Sequence, residues 1–129
     1  MIGKVIHSIL TNDSGVAALV GDKVFPLVMS FETFRPSVLY VVDAVEPTYT
    51  KDGWVGDDCS FKVTAYADSY SQAIEVAYAV RQALELQSGT FEGINIERIY
   101  LNNREEFYQF DADVYIIRLI FETKINSYG

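Results

Sequence analysis

One stretch of the chain changes from the two-residue period of a strand to the 3.6-residue period of a helix, and this change restricts the fold most. Residues 59–66 alternate in character, with Cys59, Phe61, Val63 and Ala65 on one face and Ser60, Lys62, Thr64 and Tyr66 on the other. The Ser69-x-x-Gln72 spacing then predicts a capping box at a helix start. The predicted helix has an apolar stripe of Ala73, Ile74, Ala77, Val80, Ala83 and Leu84, and Gly89 is its predicted stop. Its alanines predict a close approach to a sheet.

The other elements are predicted from shorter patterns. The spacing of Ile2, Val5, Ile6, Ile9 and Leu10 predicts a first helix, and Asp13 is placed to cap a second helical turn that ends at Gly21. Residues 23–28 contain Pro26 and predict an edge strand or an extended connector. Residues 37–45, 94–101 and 113–125 predict further strands, and the polar residues 102–113 predict a hairpin loop. This order predicts an α+β domain over residues 1–129, with a mostly antiparallel sheet of four to five strands and two helices packed on one face.

Composition excludes several classes of protein. A length of 129 residues fits one domain that folds without metals. The net charge of −8 predicts repulsion of free nucleic acid, and no segment is long and apolar enough to span a membrane. Cys59 is the only cysteine, so no intrachain disulfide forms, and a reducing, cytosolic origin is the simpler interpretation.

An acidic, glycine-containing segment at residues 52–58 raises the question of a metal or phosphate site. Asp52, Asp57 and Asp58 lack the alternating spacing and the closing glutamate of a calcium loop, and the segment lacks the lysine of a phosphate loop. It is therefore interpreted as a solvated hairpin tip that binds no metal. The only tryptophan, Trp54, lies in this tip and is predicted to anchor an interface in which Asp52, Asp57 and Asp58 select a basic partner surface. The alternative that Trp54 folds back on its own domain stays open.

No other group of residues predicts catalysis. His7, the only histidine, is interpreted as a surface or boundary residue and Cys59 as a core residue. The acids near the last strand, Glu105, Glu106, Asp111 and Asp113, have a spacing that is common by chance. Neither a catalytic residue nor a cofactor site is therefore predicted.

The last predicted strand has a second apolar face. Val114, Ile116 and Ile120 surround Arg118 on the side opposite Tyr115, Ile117, Leu119 and Phe121. Two helices on one side of a sheet would leave this face uncovered, and an uncovered apolar face predicts a subunit contact.

The order of these motifs resembles the tail-completion, or tail-terminator, proteins of long-tailed bacteriophages and prophages. The segments that carry the resemblance are "ALVGDKVFP" (18–26), "FKVTAYADSYSQAIEVAYAVRQAL" (61–84) and "DADVYIIRLIF" (111–121). The resemblance implies a structural subunit, without catalysis or cofactor, that forms a hexameric ring. Such a ring caps the tail tube, contacts the tail-tube protein and the head connector, and lets DNA pass without binding it. It would assemble in the bacterial host cytoplasm and remain in the virion tail.

A second hypothesis belongs to another class. A small α+β enzyme or ligand-binding module would place a pocket between the main helix and the sheet, lined by Tyr66, Tyr70 and Tyr78. A ligand-sized aromatic cavity would favour this hypothesis over the ring.

Overall fold

The computed structural model describes residues 1–29 and 35–128 and contains three helices and seven strands. The helices are α1 (Ile2–Asn12), α2 (Ser14–Val20) and α3 (Tyr70–Leu84). The strands are β1 (Val24–Pro26), β2 (Ser37–Thr50), β3 (Gly53–Ala67), β4 (Gly89–Phe91), β5 (Ile94–Ile96), β6 (Tyr100–Gln109) and β7 (Val114–Ser127).

All seven strands form one sheet in the order β1-β2-β3-β7-β5-β4, and β6 pairs with β7 on the same side as β5. Only β1 and β2 are parallel, so the sheet is mixed. The predicted α+β class and mostly antiparallel sheet are confirmed. The predicted number of strands is too low because the three-residue β4 gives no periodic signal and because β6 occupies most of the predicted loop. The strand predicted over residues 94–101 is divided into β5 and the start of β6. The predicted number of helices is too low because Asp13 starts a separate helix α2, accepting a hydrogen bond from the amide of Val16 at 2.9 Å.

Helix α3 begins as predicted and ends earlier than predicted. The Ser69 hydroxyl accepts a hydrogen bond from the amide of Gln72 at 3.2 Å, which satisfies one of the first amides of the helix. Leu86 takes a left-handed conformation (φ 65°) after the C-cap at Glu85, whereas Gly89 starts β4. The buried stripe is also shifted, because Ile74 is 38% exposed and Val76 is buried in its place.

The core lies between the sheet and the helices α1 and α3. Phe61 of β3 and Phe121 of β7 face each other in register, are fully buried, and stack with ring centroids 5.3 Å apart. The predicted apolar stripe of α1 is buried as a whole, comprising Ile2, Val5, Ile6, Ile9 and Leu10. Helix α2 packs against α1 and α3.

Both hairpins lie where the sequence predicts them, but their strands are longer and their turns shorter than predicted. Strand β2 runs to Thr50 and β3 starts at Gly53, so the acidic segment is a strand pair closed by a turn at Lys51 and Asp52. Strand β6 likewise occupies most of residues 102–113 and leaves only residues 110–113 as a turn. Strand β6 gives no strand signal because both of its faces are largely exposed, which removes the alternation of a half-buried strand.

Candidate interaction surfaces

The three acids of the β2–β3 hairpin have three different environments. Asp57 is 8% exposed, and its carboxylate accepts hydrogen bonds from the Trp54 indole N–H at 2.9 Å and from the Tyr128 hydroxyl. Asp58, the next residue, points to the other face of the strand and accepts a hydrogen bond from the Thr48 hydroxyl at 2.9 Å. The expectation that all three acids are solvated is therefore wrong for Asp57.

Asp52 lies in the exposed turn, where its amide donates to the Thr50 hydroxyl at 3.2 Å. The three carboxylates thus do not converge on one point. Among the described residues, no group of three or more His, Cys, Asp or Glu side chains is arranged to hold a metal ion.

Trp54 rests partly on its own subunit. Its ring centroid lies 5.8 Å from that of Tyr128, and the side chain remains 39% exposed. Contacts with Asp57 and Tyr128 hold one side of the indole, and the exposed side is available to another molecule. Trp54 can therefore both pack against its own domain and contact a partner, so the two alternatives for this residue are compatible.

The contact of Tyr128 with Asp57 makes a prediction about alkaline pH. Burial, followed by the hydrogen bond to Asp57 and the charge of that carboxylate, raises the pKa of Tyr128 from 10.0 to about 12. Because the pKa is raised in the folded state, the stabilisation by Tyr128 is complete below pH 10 and is lost as the pH rises through about 12. We expect the Trp54 fluorescence to change with an apparent pKa near 12, as the tyrosinate separates from Asp57.

The matched control is Tyr128→Phe, which keeps the ring beside Trp54 and removes the ionisation. Other tyrosines ionise in both proteins, so the quantity to measure is the difference between the two fluorescence titrations. A difference curve that is flat between pH 10 and 12.5 would contradict the contact.

The face of the sheet opposite the helices contains most of the second predicted surface. Ile116 and Ile120 are half-buried there, and Arg118 lies between them with its guanidinium carbon 4.9 Å from the Phe107 ring centroid and Nη1 3.6 Å from a Glu105 carboxylate oxygen. Val114 is only 3% exposed and is therefore covered within its own subunit. The available part of this face is Ile116, Arg118 and Ile120.

The remaining candidate residues do not form a catalytic group. His7 is exposed, with Nδ1 3.1 Å from the Tyr40 hydroxyl. Cys59 is 3% exposed, and burial, with the charges of Asp57 and Asp58, raises the pKa of its thiol to about 11. Such a thiol is mostly protonated at neutral pH and is a poor nucleophile.

The four acids near β7 lie in different environments. Asp113 accepts a hydrogen bond from the Tyr108 hydroxyl at 2.7 Å, and Glu106 accepts one from the Tyr70 hydroxyl at 2.8 Å. Glu105 lies on the opposite face of β6 beside Arg118, and Asp111 is exposed in the turn. Each carboxylate thus has its own surroundings, and none pairs with another for acid–base work.

The tyrosine pocket of the second hypothesis does not exist in this fold. Tyr66 alternates with the buried Ala65 and Ala67 and so lies on the face of the sheet away from α3. Tyr70 and Tyr78 lie on α3 and are 48% and 64% exposed. The three side chains therefore do not line a common cavity.

Two surfaces of the subunit are not predicted by the sequence. The first, here called the aromatic tip, is the end of the β6–β7 hairpin, where Phe107, Tyr108 and Phe110 are 44%, 48% and 83% exposed. The second, here called the α1–β2 groove, is a cleft of about 840 Å³ lined by residues that include Gly3, Lys4, Thr11, Leu27 and Val45. The three aromatic residues of "EFYQF" (106–110) are the sequence feature that indicates the tip. The groove has no such feature, because it is formed only by tertiary packing.

One family model and one solved structure match this chain over nearly its whole length. The family model described as tail completion protein gp17 matches residues 4–126. A chain in the solved structure "Virion of native gene transfer agent (GTA) particle" superposes with a TM-score of 0.81 and 21% sequence identity, over 98% of this chain and 97% of that chain. At that identity the superposition establishes the fold alone. No curated protein matches the chain.

Proposed function

The chain belongs to the family of tail completion protein gp17, whose members are structural proteins of the phage tail. From this premise we propose that the chain is the subunit of a ring. The ring caps the tail tube and joins it to the head connector. The observation that carries the proposal is the match of the family model to nearly the whole chain, residues 4–126. The ring is a hexamer, and each subunit acts as one domain over residues 1–129. Its partners are further copies of itself, the tail-tube protein and the head-connector protein.

The charge of the chain suits a ring that surrounds DNA. With a net charge of −8, the subunit as a whole does not attract phosphate, so DNA passes through the bore without being retained. Neither a cofactor nor catalysis is part of this function. Assembly takes place in the bacterial host cytoplasm, and the ring stays in the virion tail.

The end of the β2–β3 hairpin is the proposed contact with the tail tube. Trp54 presents its exposed side there, and the exposed carboxylates of Asp52 in the turn and Asp58 on the other face of β3 select a basic partner surface. Asp57 acts inside the subunit by holding the indole through Nε1. An aromatic side chain held by its own subunit loses little conformational freedom on docking, which favours binding.

The face of the sheet around Arg118 is a proposed contact with a neighbouring subunit of the ring. Ile116 and Ile120 supply apolar area there, and the Arg118 guanidinium, placed between Phe107 and Glu105, is already oriented. Arginine flanked by apolar side chains is typical of the residues that dominate interface energies.

The proposal is tested by joining in vitro with Trp54→Ala and isolated tail tubes. The variant should fold, with a free energy of unfolding lowered by about 1 kcal/mol for the lost hydrogen bond to Asp57, and it should fail to join the tubes. In the wild-type chain, Trp54 emission should shift to the blue when tubes are added, because the exposed side of the ring becomes buried.

Tyr78→Ala is the matched control, since this variant also loses an exposed aromatic side chain, on α3. It should join tubes like the wild-type chain. Full joining by Trp54→Ala would exclude the hairpin contact, and a wild-type chain that binds neither tubes nor head connectors would contradict the proposed function.

A further inference from the structure

We propose that the aromatic tip of one copy inserts into the α1–β2 groove of the next copy, and that this contact joins neighbouring subunits. The inference rests on the proposed ring and specifies which surfaces of the subunit form it. The tip and the groove are different surfaces, so the contact is heterologous, and each copy contributes both a donor and an acceptor.

The aromatic tip is built to present apolar area outside its own subunit. Phe110 is 83% exposed and touches the ring of Tyr108 edge-on, with centroids 6.4 Å apart. Tyr108 is itself supported by Tyr115, at 4.9 Å between centroids, and its hydroxyl donates to Asp113 at 2.7 Å. These contacts hold the exposed rings in place, and rigid aromatic anchors are typical centres of interfaces.

The α1–β2 groove offers a complementary apolar surface. Leu27 and Val45, which line it, are 67% and 45% exposed. Its volume of about 840 Å³ accommodates more than one aromatic side chain. Beyond Tyr40, no described strand pairs with the outer edge of β2, so the groove lies beside an edge that a second chain can approach.

Charge also favours a second copy as the occupant. Lys4 and His7 lie on the α1 wall of the groove, Glu92 lines another part of it, and Asp111 lies exposed in the turn that holds the tip. In a chain with a net charge of −8, most pairs of surfaces would repel each other. Docking the tip in this groove instead brings an acidic turn toward a wall with a cationic side chain.

The positions of the two surfaces in the sheet suit a closed ring. The tip lies at the start of β7, whereas Tyr128, just beyond the end of β7, lines the groove, so the two surfaces lie at opposite ends of this 14-residue strand. Different surfaces on opposite sides of a subunit give head-to-tail contacts, and such contacts close into rings when the rotation between copies permits.

The test uses two variants that each remove one side of the contact. Phe110→Asp removes the tip and leaves the groove. Gly3→Phe adds a ring to the groove lining that competes with the tip, and it leaves the tip itself unchanged; a Cβ at Gly3 meets no heavy atom within 4 Å. Each variant alone should associate with itself at least about tenfold more weakly than the wild-type chain. Mixed, they should give a 1:1 dimer and no larger species, since only one tip–groove contact can form.

Cysteine cross-linking tests the same contact in the free chain at high concentration and on tail tubes. Copies with Phe110→Cys are mixed with copies with Thr11→Cys, a groove residue, and oxidised. Cross-linked pairs are expected, whereas Tyr78→Cys in place of Thr11→Cys should give none. The buried Cys59 stays in all copies.

Any of three results would overturn the inference. The first is that both single variants associate as strongly as the wild-type chain, and the second is that their mixture forms rings. The third is that no tip–groove cross-link forms, either in the free chain or on tail tubes. If the chain still binds tail tubes in such an experiment, the proposed function is not contradicted. Failure of the wild-type chain to bind tubes would count against the proposed function, whereas the cross-link in the free chain would still decide the inference.

Discussion

Replacement of Phe121 by alanine should lower the free energy of unfolding by about 3–5 kcal/mol. Phe121 is fully buried in β7, stacks on Phe61 of β3, and pairs with Leu101 of β6 on its other side. Removing the ring loses its transfer energy and leaves a cavity, because neighbours held in a sheet relax only in part. Since small domains are stable by only about 5–15 kcal/mol, the variant should melt about 10–20 °C below the wild-type chain.

The matched control is Phe110→Ala, which removes the same group of atoms from an 83% exposed position. Its free energy of unfolding should stay within about 0.5 kcal/mol of the wild-type value. Thermal and urea unfolding of both variants measure the difference. Equal effects would mean that Phe121 does not lie in the core. Phe61→Ala combined with Phe121→Ala should cost less than the sum of the single changes, since the two rings contact each other.

Local periodicity accounts for the parts of this fold that the sequence predicts. The buried stripe of α1, the alternation of β3 and the Ser69 cap are each determined by residues within a few positions of one another. These signals can be recognised in the sequence without knowledge of tertiary contacts. They establish the α+β class and the helix-on-sheet arrangement.

Contacts between distant residues account for what the sequence does not predict. Asp57 was read as solvated because its partner Tyr128 lies 71 positions away. The parallel pairing of β1 with β2 and the three-residue strand β4 likewise depend on neighbouring strands. The exchange of Ile74 for Val76 in the α3 stripe is a small rotation of the helix, which depends on how α3 seats on the sheet.

The functional prediction had a different basis from the fold prediction. Charge, cysteine content and failed ligand spacings limited the possible classes, but the family came from the resemblance of whole segments, which the family model over residues 4–126 confirms. The interface residues Trp54, Asp52, Asp58, Ile116, Arg118 and Ile120 stay predictions. An interface has no periodic signature in one chain, because the partner that covers it is absent from the pattern.

Substitution of Gly56 by alanine should have the second large effect, and it bears directly on the hairpin that carries Trp54. Gly56 has a φ of +154°, and a Cβ at this position would lie 2.8 Å from the Ile125 carbonyl oxygen and 2.6 Å from Lys124 Cε. The Lys124 side chain can move aside. The Ile125 carbonyl cannot, because Ile125 lies in β7 between β3 and β5. Backbone strain and the clash together should lower the free energy of unfolding by about 2–5 kcal/mol.

Gly53→Ala separates these two causes. Gly53 also has a positive φ, +120°, but a Cβ there meets no heavy atom within 4 Å, so this variant should show the strain alone, about 1–2 kcal/mol. The larger loss of stability in Gly56→Ala then measures the close approach of β3 to β7.

Because relief of the clash moves the hairpin away from β7, Trp54 should separate from Tyr128. Its emission should therefore shift to the red in Gly56→Ala and not in Gly53→Ala. Tail joining should be lost in Gly56→Ala as well, even at temperatures where the variant is folded, since the indole is no longer held in position. Equal stability of the two variants, with unchanged Trp54 emission, would show that the strands absorb the added methyl group and that the hairpin is not held by this approach.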